Sequence, residues 1–167
     1  PEQMGWTIFS ADASQAFLRG LSFEEASKRK DEVTRDVQFT VPPGSADILQ
    51  ELPGFHDFNA LTEVLRMLRC GFGLKDAPRL WNKLLSEVFQ SLGSKPVQSD
   101  QQLYVWHVPS PGDPGARATK PAQRLVLIIS THVDDLKGAG EEAYRKRLIK
   151  ALEERFDKLK IKLESFE

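Results

Sequence analysis

Two adjacent carboxylates, Asp134 and Asp135, follow the most apolar stretch of the chain, residues 125–129. That stretch predicts a strand at the centre of a sheet, so the turn after it holds two like charges beside a buried element. Asp12 ends a second apolar strand, predicted over residues 6–12. If the two strands are neighbours, all three carboxylates meet at one end of the sheet, and oxygen-only ligands of this kind suit Mg²⁺ or Mn²⁺. Taken singly, each acid is also typical of ordinary protein surface, and spacing does not decide between the two interpretations.

Composition limits the class of protein. The 167 residues, 40% hydrophobic and 28% charged, predict one globular domain. The longest apolar run is too short to span a bilayer, so no membrane span is expected. Lys plus Arg (23) nearly balances Asp plus Glu (24), so a nucleic-acid partner would need a local basic patch. A single cysteine, Cys70, excludes an internal disulfide and favours a reducing, intracellular compartment.

The strands that must position the acids follow from apolar alternation and turn residues. Strands are predicted over residues 6–12, 37–41, 103–108, 125–132 and, at a sheet edge, 158–163. The apolar segment 64–68 fits either a strand or a helix. Residues 45–62 predict a loop, and residues 109–124 predict an exposed hairpin loop rich in Pro and Gly.

The clearest helix runs from an N-cap at Asp76 to Gly93, with Pro78 in its first turn. Its apolar stripe predicts packing on a sheet and consists of Leu80, Trp81, Leu84, Leu85, Val88, Phe89 and Leu92. A second helix is predicted over residues 141–156, and residues 24–36 fit a short helix or a loop. This order predicts an α+β fold, in which an antiparallel sheet carries two main helices on one face, related to the ferredoxin-like arrangement.

Four motifs resemble those of Copia-type (Ty1-like) retrotransposon reverse transcriptases, and they occur in the order of that family. Residues 10–20, Ser-Ala-Asp-Ala-Ser-Gln-Ala-Phe-Leu-Arg-Gly, are similar to its Asp motif ending Ala-Phe-Leu-x-Gly. Residues 41–44 resemble its Pro-Pro-Gly turn. Residues 71–81 resemble Tyr-Gly-Leu-Lys-Gln-Ala-Pro-Arg-x-Trp, and residues 132–136 resemble Tyr-Val-Asp-Asp-Leu.

The resemblance implies the palm, with part of the fingers, of a right-hand polymerase over residues 1–167. The implied activity is RNA- or DNA-templated DNA synthesis by two-metal nucleotidyl transfer, with Mg²⁺ or Mn²⁺ as the two ions. Asp12 and Asp134 would bridge both ions, Asp135 would assist, and the backbone carbonyl of Ala13 would complete the second metal site. The implied partners are template–primer nucleic acid and a deoxynucleotide.

The resemblance also implies a nucleotide pocket. Phe17 would be the steric gate under the sugar, where a bulky ring leaves no room for a 2′-hydroxyl. Phe72 and Gly73 would lie beneath the nucleotide and the template base. The alternative for Phe17 is simple core packing, and the alternative for the other two residues is a turn that only begins the following helix.

Two residues depart from the family pattern, namely His132 in place of Tyr and Asp76 in place of Gln. The chain begins at Pro1 and is expected to be a segment of a longer polyprotein. The family's basic fingers strand would precede Pro1, and the primer grip, thumb and RNase H would follow Glu167, so the isolated chain is expected to be incomplete for activity. The visible basic groups, most of them expected on solvated helix faces, are Lys28-Arg29-Lys30, the bases within 117–124, Arg145-Lys146-Arg147, Lys158, Lys160 and Lys162.

Two other functions stay open. The first is a catalytically inactive or domesticated palm-like piece that acts as a structural or interaction subunit of a protein assembly. The second is an RNA-recognition-like module on the same sandwich. That module needs exposed aromatic side chains on its central strands, and residues 125–129 offer none.

Overall fold

A six-stranded antiparallel sheet forms the main layer of the computed structural model, which describes residues 5–29, 35–110, 122–156 and 160–164. The described elements are, in chain order, β1 (Thr7–Asp12), α1 (Ala16–Arg19), α2 (Phe23–Ser27), β2 (Gln38–Phe39), α3 (Ala46–Gln50), β3 (Leu65–Arg66), α4 (Ala77–Ser91), β4 (Ser94–Val97), β5 (Asp100–Pro109), β6 (Gln123–His132), β7 (Asp135–Gly140), α5 (Glu142–Phe156) and β8 (Lys160–Glu164). Among the described residues, no helix has the length and apolar character needed to cross a bilayer.

The strand order of the sheet is β4-β5-β6-β7-β1-β8, and β2 pairs with β3 in a separate two-stranded ladder. Strand β7 lies between β1 and β6 and is antiparallel to both. Helix α5 leads from β7 to β8, which pairs with the other side of β1. The order β8-β1-β7-β6 is that of a ferredoxin-like sheet, which the β4–β5 hairpin extends. The predicted α+β, palm-like fold is thus confirmed.

Both main helices cover the same face of the sheet. Helix α4 buries one stripe, made of Ala77, Leu80, Trp81, Leu84, Leu85 and Phe89. The rings of Trp81 and Phe156 of α5 lie 4.7 Å apart between centroids and join the two helices. The ring of Phe89 lies 4.8 Å from that of Tyr104 on β5. The predicted stripe is therefore largely confirmed, although Val88 and Leu92 are only half-buried.

Strand β7 is absent from the sequence-based prediction because its glycines weaken the strand signal. A Cβ atom at Gly138 would lie 2.5 Å from Cζ of Phe9, and one at Gly140 would lie 2.5 Å from the carbonyl oxygen of Val126. No real Cβ atom comes that close, so β7 needs glycine where its neighbours approach. The residues that weaken the local signal are the ones that the tertiary packing requires.

Other boundaries differ from the predictions. The predicted strand 37–41 is reduced to the two residues of β2, and the predicted loop 45–62 contains helix α3. Strand β4 was not expected, since Pro96 disfavours a strand interior, but β4 is an edge strand, where proline is tolerated.

The predicted hairpin loop 109–124 is described only at its ends. There the backbone N–H of Ser110 donates to the carbonyl oxygen of Ala122 over 2.9 Å, and residues 111–121 lie outside the described residues. Strand β8 confirms the predicted edge strand from Lys160 onward, while Lys158 lies outside the described part.

Candidate functional site

The two faces of the sheet differ in what they carry. On β1, Phe9 and Ala11 are buried under the helices, at 0% and 2% exposure. Successive side chains of a strand point to opposite faces, so Ile8, Ser10 and Asp12 lie on the other side. We call the sheet surface opposite α4 and α5 the open face. Asp12 therefore lies on the open face, at the end of β1.

The ladder register brings the predicted acids to one end of the sheet. Asp12 pairs with Asp135 as Cα partners across β1 and β7, and Asp135 pairs with His132 across β7 and β6. Directly opposite residues of an antiparallel ladder share a face. Asp134 lies in the turn between β6 and β7. We call Asp12, Asp134 and Asp135 the acidic tip.

The turn at the acidic tip has an unusual backbone. Val133 has a φ of 56°, in the left-handed region that a β-branched residue rarely adopts. Two hydrogen bonds hold this turn. Nε1 of Trp81 donates to the carbonyl oxygen of Val133 over 2.7 Å, and the backbone N–H of Ala13 donates to the carbonyl oxygen of Asp134 over 3.5 Å. Helix α4 and the end of β1 thereby fix the turn, and such outliers are concentrated at functional sites.

The carboxylates of the acidic tip differ in exposure. Asp134 is half-buried and Asp135 is exposed. The Asp12 side chain is 41% exposed, with its Oδ2 atom 4.0 Å from Nζ of Lys160. A contact this long between exposed groups contributes little to stability.

The acidic tip has the donor chemistry of a Mg²⁺ or Mn²⁺ site, because it offers carboxylate oxygens and a neighbouring backbone carbonyl at Ala13. Its side chains, however, do not form a ligand group as they lie: within the described part of the chain, no three His, Cys, Asp or Glu side chains come close enough together to hold a metal ion. The fold thus brings the three backbones together, while the tight grouping of carboxylates expected from the sequence is not seen.

Basic side chains lie beside the acidic tip on the open face. The register pairs Lys160 of β8 with Asp12, and it pairs Ser10 of β1 with both Lys162 of β8 and Lys137 of β7. The three lysines are exposed. We call Lys137, Lys160 and Lys162 the lysine strip.

Lys137 is the member that the sequence analysis missed. Its signal is the alternation of Asp135, buried Leu136 and Lys137, which the following glycines obscure.

The predicted nucleotide-pocket residues meet at one place. The rings of Phe17 and Phe72 lie 5.2 Å apart in an edge-to-face arrangement. Phe17 is half-buried against the edge of the core, whereas Phe72 is 70% exposed. Gly73 has a φ of 88°, which favours glycine. Phe17 therefore packs against the core, as the alternative expected, and also contacts the exposed ring that the resemblance places beneath the nucleotide.

The two departures from the family pattern have different surroundings. His132 is exposed at the acidic tip. A capping hydrogen bond to the helix backbone is expected from the predicted N-cap at Asp76, but the Asp76 side chain does not make it. Its carboxylate instead lies 2.9 Å from Nη1 of Arg35 and 4.0 Å from Nη2 of Arg79. Asp76 thus links the start of α4 to the chain that precedes β2.

The other predicted basic groups mostly pair with acids. Lys28 contacts Glu24 and Lys146 contacts Glu142 within their helices, while Arg29 pairs with Glu87 and Arg124 with Glu141. The guanidinium of Arg147 lies 5.1 Å from the centre of the Trp106 ring. The expected solvated helix face is found for exposed Lys146 of α5, but Arg145 of the same helix is buried, at 7% exposure. Arg29 follows the end of α2, and Arg124 belongs to strand β6.

The lone cysteine is not a candidate nucleophile. Cys70 is 1% exposed. Burial, assisted by the negative charge of Asp76, raises the pKa of its thiol. Nucleophilic cysteines need the opposite shift.

Comparison with known proteins gives this chain no relative. No family model matches it, no curated protein matches it, and no solved structure matches it.

Proposed function

We propose that this chain is the palm, with part of the fingers, of an RNA-directed DNA polymerase that extends a primer along an RNA or DNA template. The observation that carries the proposal is the ladder register, which sets Asp12 opposite Asp135 with Asp134 in the adjoining turn. The four motifs that resemble Copia-type reverse transcriptases, in family order, support it independently of the fold.

In this proposal the acidic tip and the carbonyl oxygen of Ala13 would hold Mg²⁺ or Mn²⁺, which would supply positive charge around the reacting phosphates. The 3′-hydroxyl of the primer loses its proton to water, and its oxygen bonds to the α-phosphorus of the deoxynucleotide. The bond between that phosphorus and the bridging oxygen breaks, and pyrophosphate leaves. Phe17 borders the sugar, and Phe72 with Gly73 lies under the base. The contact between the two phenylalanine rings supports a common pocket.

The lysine strip supports a nucleic-acid partner. Its ammonium groups lie on the same open face as Asp12 and Asp135, within one or two ladder positions of them. Lysines bind phosphate by charge and not by base sequence, so their contribution falls with added salt. A chain with a formal net charge of -1 needs such a local patch to bind template and primer.

Metal binding at the acidic tip is the first test. We expect Mn²⁺ to broaden the backbone NMR signals around Asp12, Asp134 and Asp135 selectively, and we expect Asp134→Asn to remove much of that effect. Asp47→Asn, an exposed acid on α3, is the matched control and should leave the broadening unchanged. Broadening spread evenly over all acidic surfaces would contradict the proposal.

Primer extension is the second test. Metal-dependent addition of a deoxynucleotide to a primed template, lost in Asp134→Asn and kept in Asp47→Asn, would support the polymerase. Extension that survives Asp134→Asn would refute the roles given to the acidic tip.

A second candidate is a non-catalytic palm-like subunit of a protein assembly. Two observations favour it. The carboxylates of the acidic tip do not form a metal-ligand group among the described residues, and His132 and Asp76 depart from the pattern of the resembled family. Because the isolated chain is expected to be incomplete for activity, the deciding test uses a longer chain that also carries the fingers strand, the primer grip and the thumb. Mn²⁺ bound at its acidic tip without any primer extension would support this candidate over the first. An RNA-recognition-like module finds less support, since the described open-face side chains of β1, β6 and β7 include no Phe, Tyr or Trp.

A further inference from the structure

A cleft of about 460 Å³ opens between α2 and the chain around β3, on a part of the molecule that the proposed polymerase chemistry does not use. Three arginines line it, Arg35, Arg66 and Arg69, together with the apolar Phe23 and Met67. Its volume is within the range of about 300 to 1,000 Å³ that is typical of small-molecule sites. We call it the arginine cleft.

Each arginine is held by an acceptor that lies outside the lining. Nη1 of Arg35 is 2.9 Å from Oδ2 of Asp76, and Nε of Arg66 is 2.9 Å from Oδ1 of Asp36. Nη1 of Arg69 donates to the carbonyl oxygen of Gly20. A guanidinium group has five N–H donors, so these contacts orient each group and leave further donors for a ligand.

Charge in the lining favours an anion. Glu24 is the one acid among the residues that line the cleft, and its carboxylate is 2.7 Å from Nζ of Lys28. This pairing lowers the pKa of Glu24 through its hydrogen bond to Lys28, and it offsets the negative charge at the rim. The acidic partners of Arg35 and Arg66 also offset charge, but they do not line the cleft and so do not compete for its interior.

The apolar part of the lining limits the kind of anion. Phe23 is 8% exposed, Met67 is half-buried, and Leu68 is 71% exposed. A bare inorganic ion would leave this surface uncovered. A flat ring attached to the anion would cover it and gain the free energy of apolar burial.

We propose that the arginine cleft binds a phosphomonoester that carries an aromatic ring, such as a nucleoside monophosphate. The guanidinium groups bind the phosphate oxygens in the two-point manner that arginine favours, and the ring lies against Met67 and Leu68. The acidic tip contributes no residue to this lining. Phe17, Phe72 and Gly73 do not line the cleft either. Binding therefore needs no metal ion and is separate from the nucleotide pocket of the proposed polymerase.

The probes are AMP, phenyl phosphate, inorganic phosphate and adenosine, titrated calorimetrically with EDTA present. We expect AMP and phenyl phosphate to bind, inorganic phosphate to bind at least about tenfold more weakly, and adenosine not to bind, since the proposal needs both the anion and the ring. Equal affinity for inorganic phosphate and AMP would overturn the proposal in favour of a general anion surface.

Two variants locate the site. Arg66→Gln should weaken AMP binding at least about tenfold, because it removes one guanidinium from the lining. Asp36→Asn breaks the same Arg66 ion pair but keeps the guanidinium, so it should bind AMP as well as the unaltered chain or better. Binding unchanged in Arg66→Gln, or equally weakened in both variants, would overturn the proposal.

A third variant separates this inference from the proposed polymerase. Asp134→Asn should keep full AMP affinity in EDTA while it loses Mn²⁺ broadening at the acidic tip. AMP binding that falls in Asp134→Asn would place the ligand at the acidic tip and overturn the cleft assignment, whatever the result for primer extension.

Discussion

We call the six-stranded sheet with α4 and α5 the sheet body. It differs from residues 35–68 in how many apolar side chains are buried and in the length of its strands and helices. The sheet body buries Phe9, Trp81 and Leu127 completely. Residues 35–68 contain two strands of two residues each and one helix of five. They leave Leu61 95% exposed and Ile48 67% exposed.

This difference separates the two candidate sites. The acidic tip lies at the end of the sheet body, where several neighbouring strands fix each backbone position. The arginine cleft depends on contacts between α2 and residues 35–69, such as the 2.9 Å hydrogen bond from the backbone N–H of Phe23 to the carbonyl oxygen of Leu68. A site for chemistry needs fixed geometry, and a site that only binds tolerates more local opening.

The largest expected effect compares one leucine from each region. Leu84→Ala removes a side chain that is 3% exposed in α4 and should reduce the free energy of unfolding by about 2 to 5 kcal/mol. Leu61→Ala, at 95% exposure, should change it by less than about 0.5 kcal/mol. Urea denaturation of both variants measures the contrast. An equal loss in the two variants would show that Leu61 is buried in solution, for example against a second copy of the chain.

The next effect compares two glycines. Gly140→Ala places a Cβ atom 2.5 Å from the carbonyl oxygen of Val126, so β6 and β7 must separate, at a cost of about 1 to 3 kcal/mol or more. The Cβ atom added by Gly54→Ala has no neighbouring atom within 4 Å. The substitution should therefore reduce the free energy of unfolding only through the left-handed backbone at φ 89°, by about 1 kcal/mol.

Thermal unfolding of the two glycine variants, followed by circular dichroism, checks this order. A smaller loss for Gly140→Ala than for Gly54→Ala would mean that the β6–β7 ladder relaxes easily, and the fixed geometry claimed for the acidic tip would then be wrong.

The smallest effect depends on pH and concerns α2, which joins the two regions. The backbone N–H of Ser22 donates to Glu25 over 2.8 Å, and this bond is the main cause of the lowered pKa of Glu25. A carboxyl with a lowered pKa stabilises the fold above its ordinary value of 4.5, and the contribution is lost as the pH falls through the lowered value. Because the side chain is 44% exposed, Glu25→Gln should cost less than about 1 kcal/mol at pH 7.

Urea denaturation of this variant and the unaltered chain at pH 7, 5 and 3 provides the measurement. The difference in free energy of unfolding should shrink as the pH falls through the lowered pKa of Glu25, because its protonated carboxyl is neutral like the Gln side chain. A difference that grows on acidification would mean that the Glu25 carboxylate is not the acceptor that stabilises the start of α2.

Much of the sheet body could be predicted from the sequence because its signals are local. The stripe from Leu80 to Phe89 repeats at helical spacing, and the apolar run 125–129 has the length of a buried strand. The meeting of Asp12 with Asp134 and Asp135 was predicted from the two strands that end in acids. The ladder register places Asp12 opposite Asp135, but the grouped carboxylates that the sequence predicts are not formed among the described residues.

The rest depends on contacts between residues far apart in the chain. From the sequence alone, Gly138 and Gly140 indicate a turn. Their place in a strand is explained only by the close packing of Phe9 against Gly138 and of the Val126 carbonyl against Gly140. The lysine strip requires β7 to be recognised as a strand. The arginine cleft joins α2 to residues that follow it by about forty positions, and no spacing rule connects them.

The hydrogen bond from Trp81 to Val133 gives the acidic tip a built-in spectroscopic probe. The indole N–H proton of Trp81 is enclosed in the core, yet its acceptor is the carbonyl oxygen next to Asp134. Its NMR resonance is resolved from backbone signals and should exchange slowly with deuterium. A rearrangement of the turn during metal or nucleotide binding should therefore change the chemical shift of this one proton. The proton lies on the helix side of the sheet, so no label needs to be placed at the acidic tip.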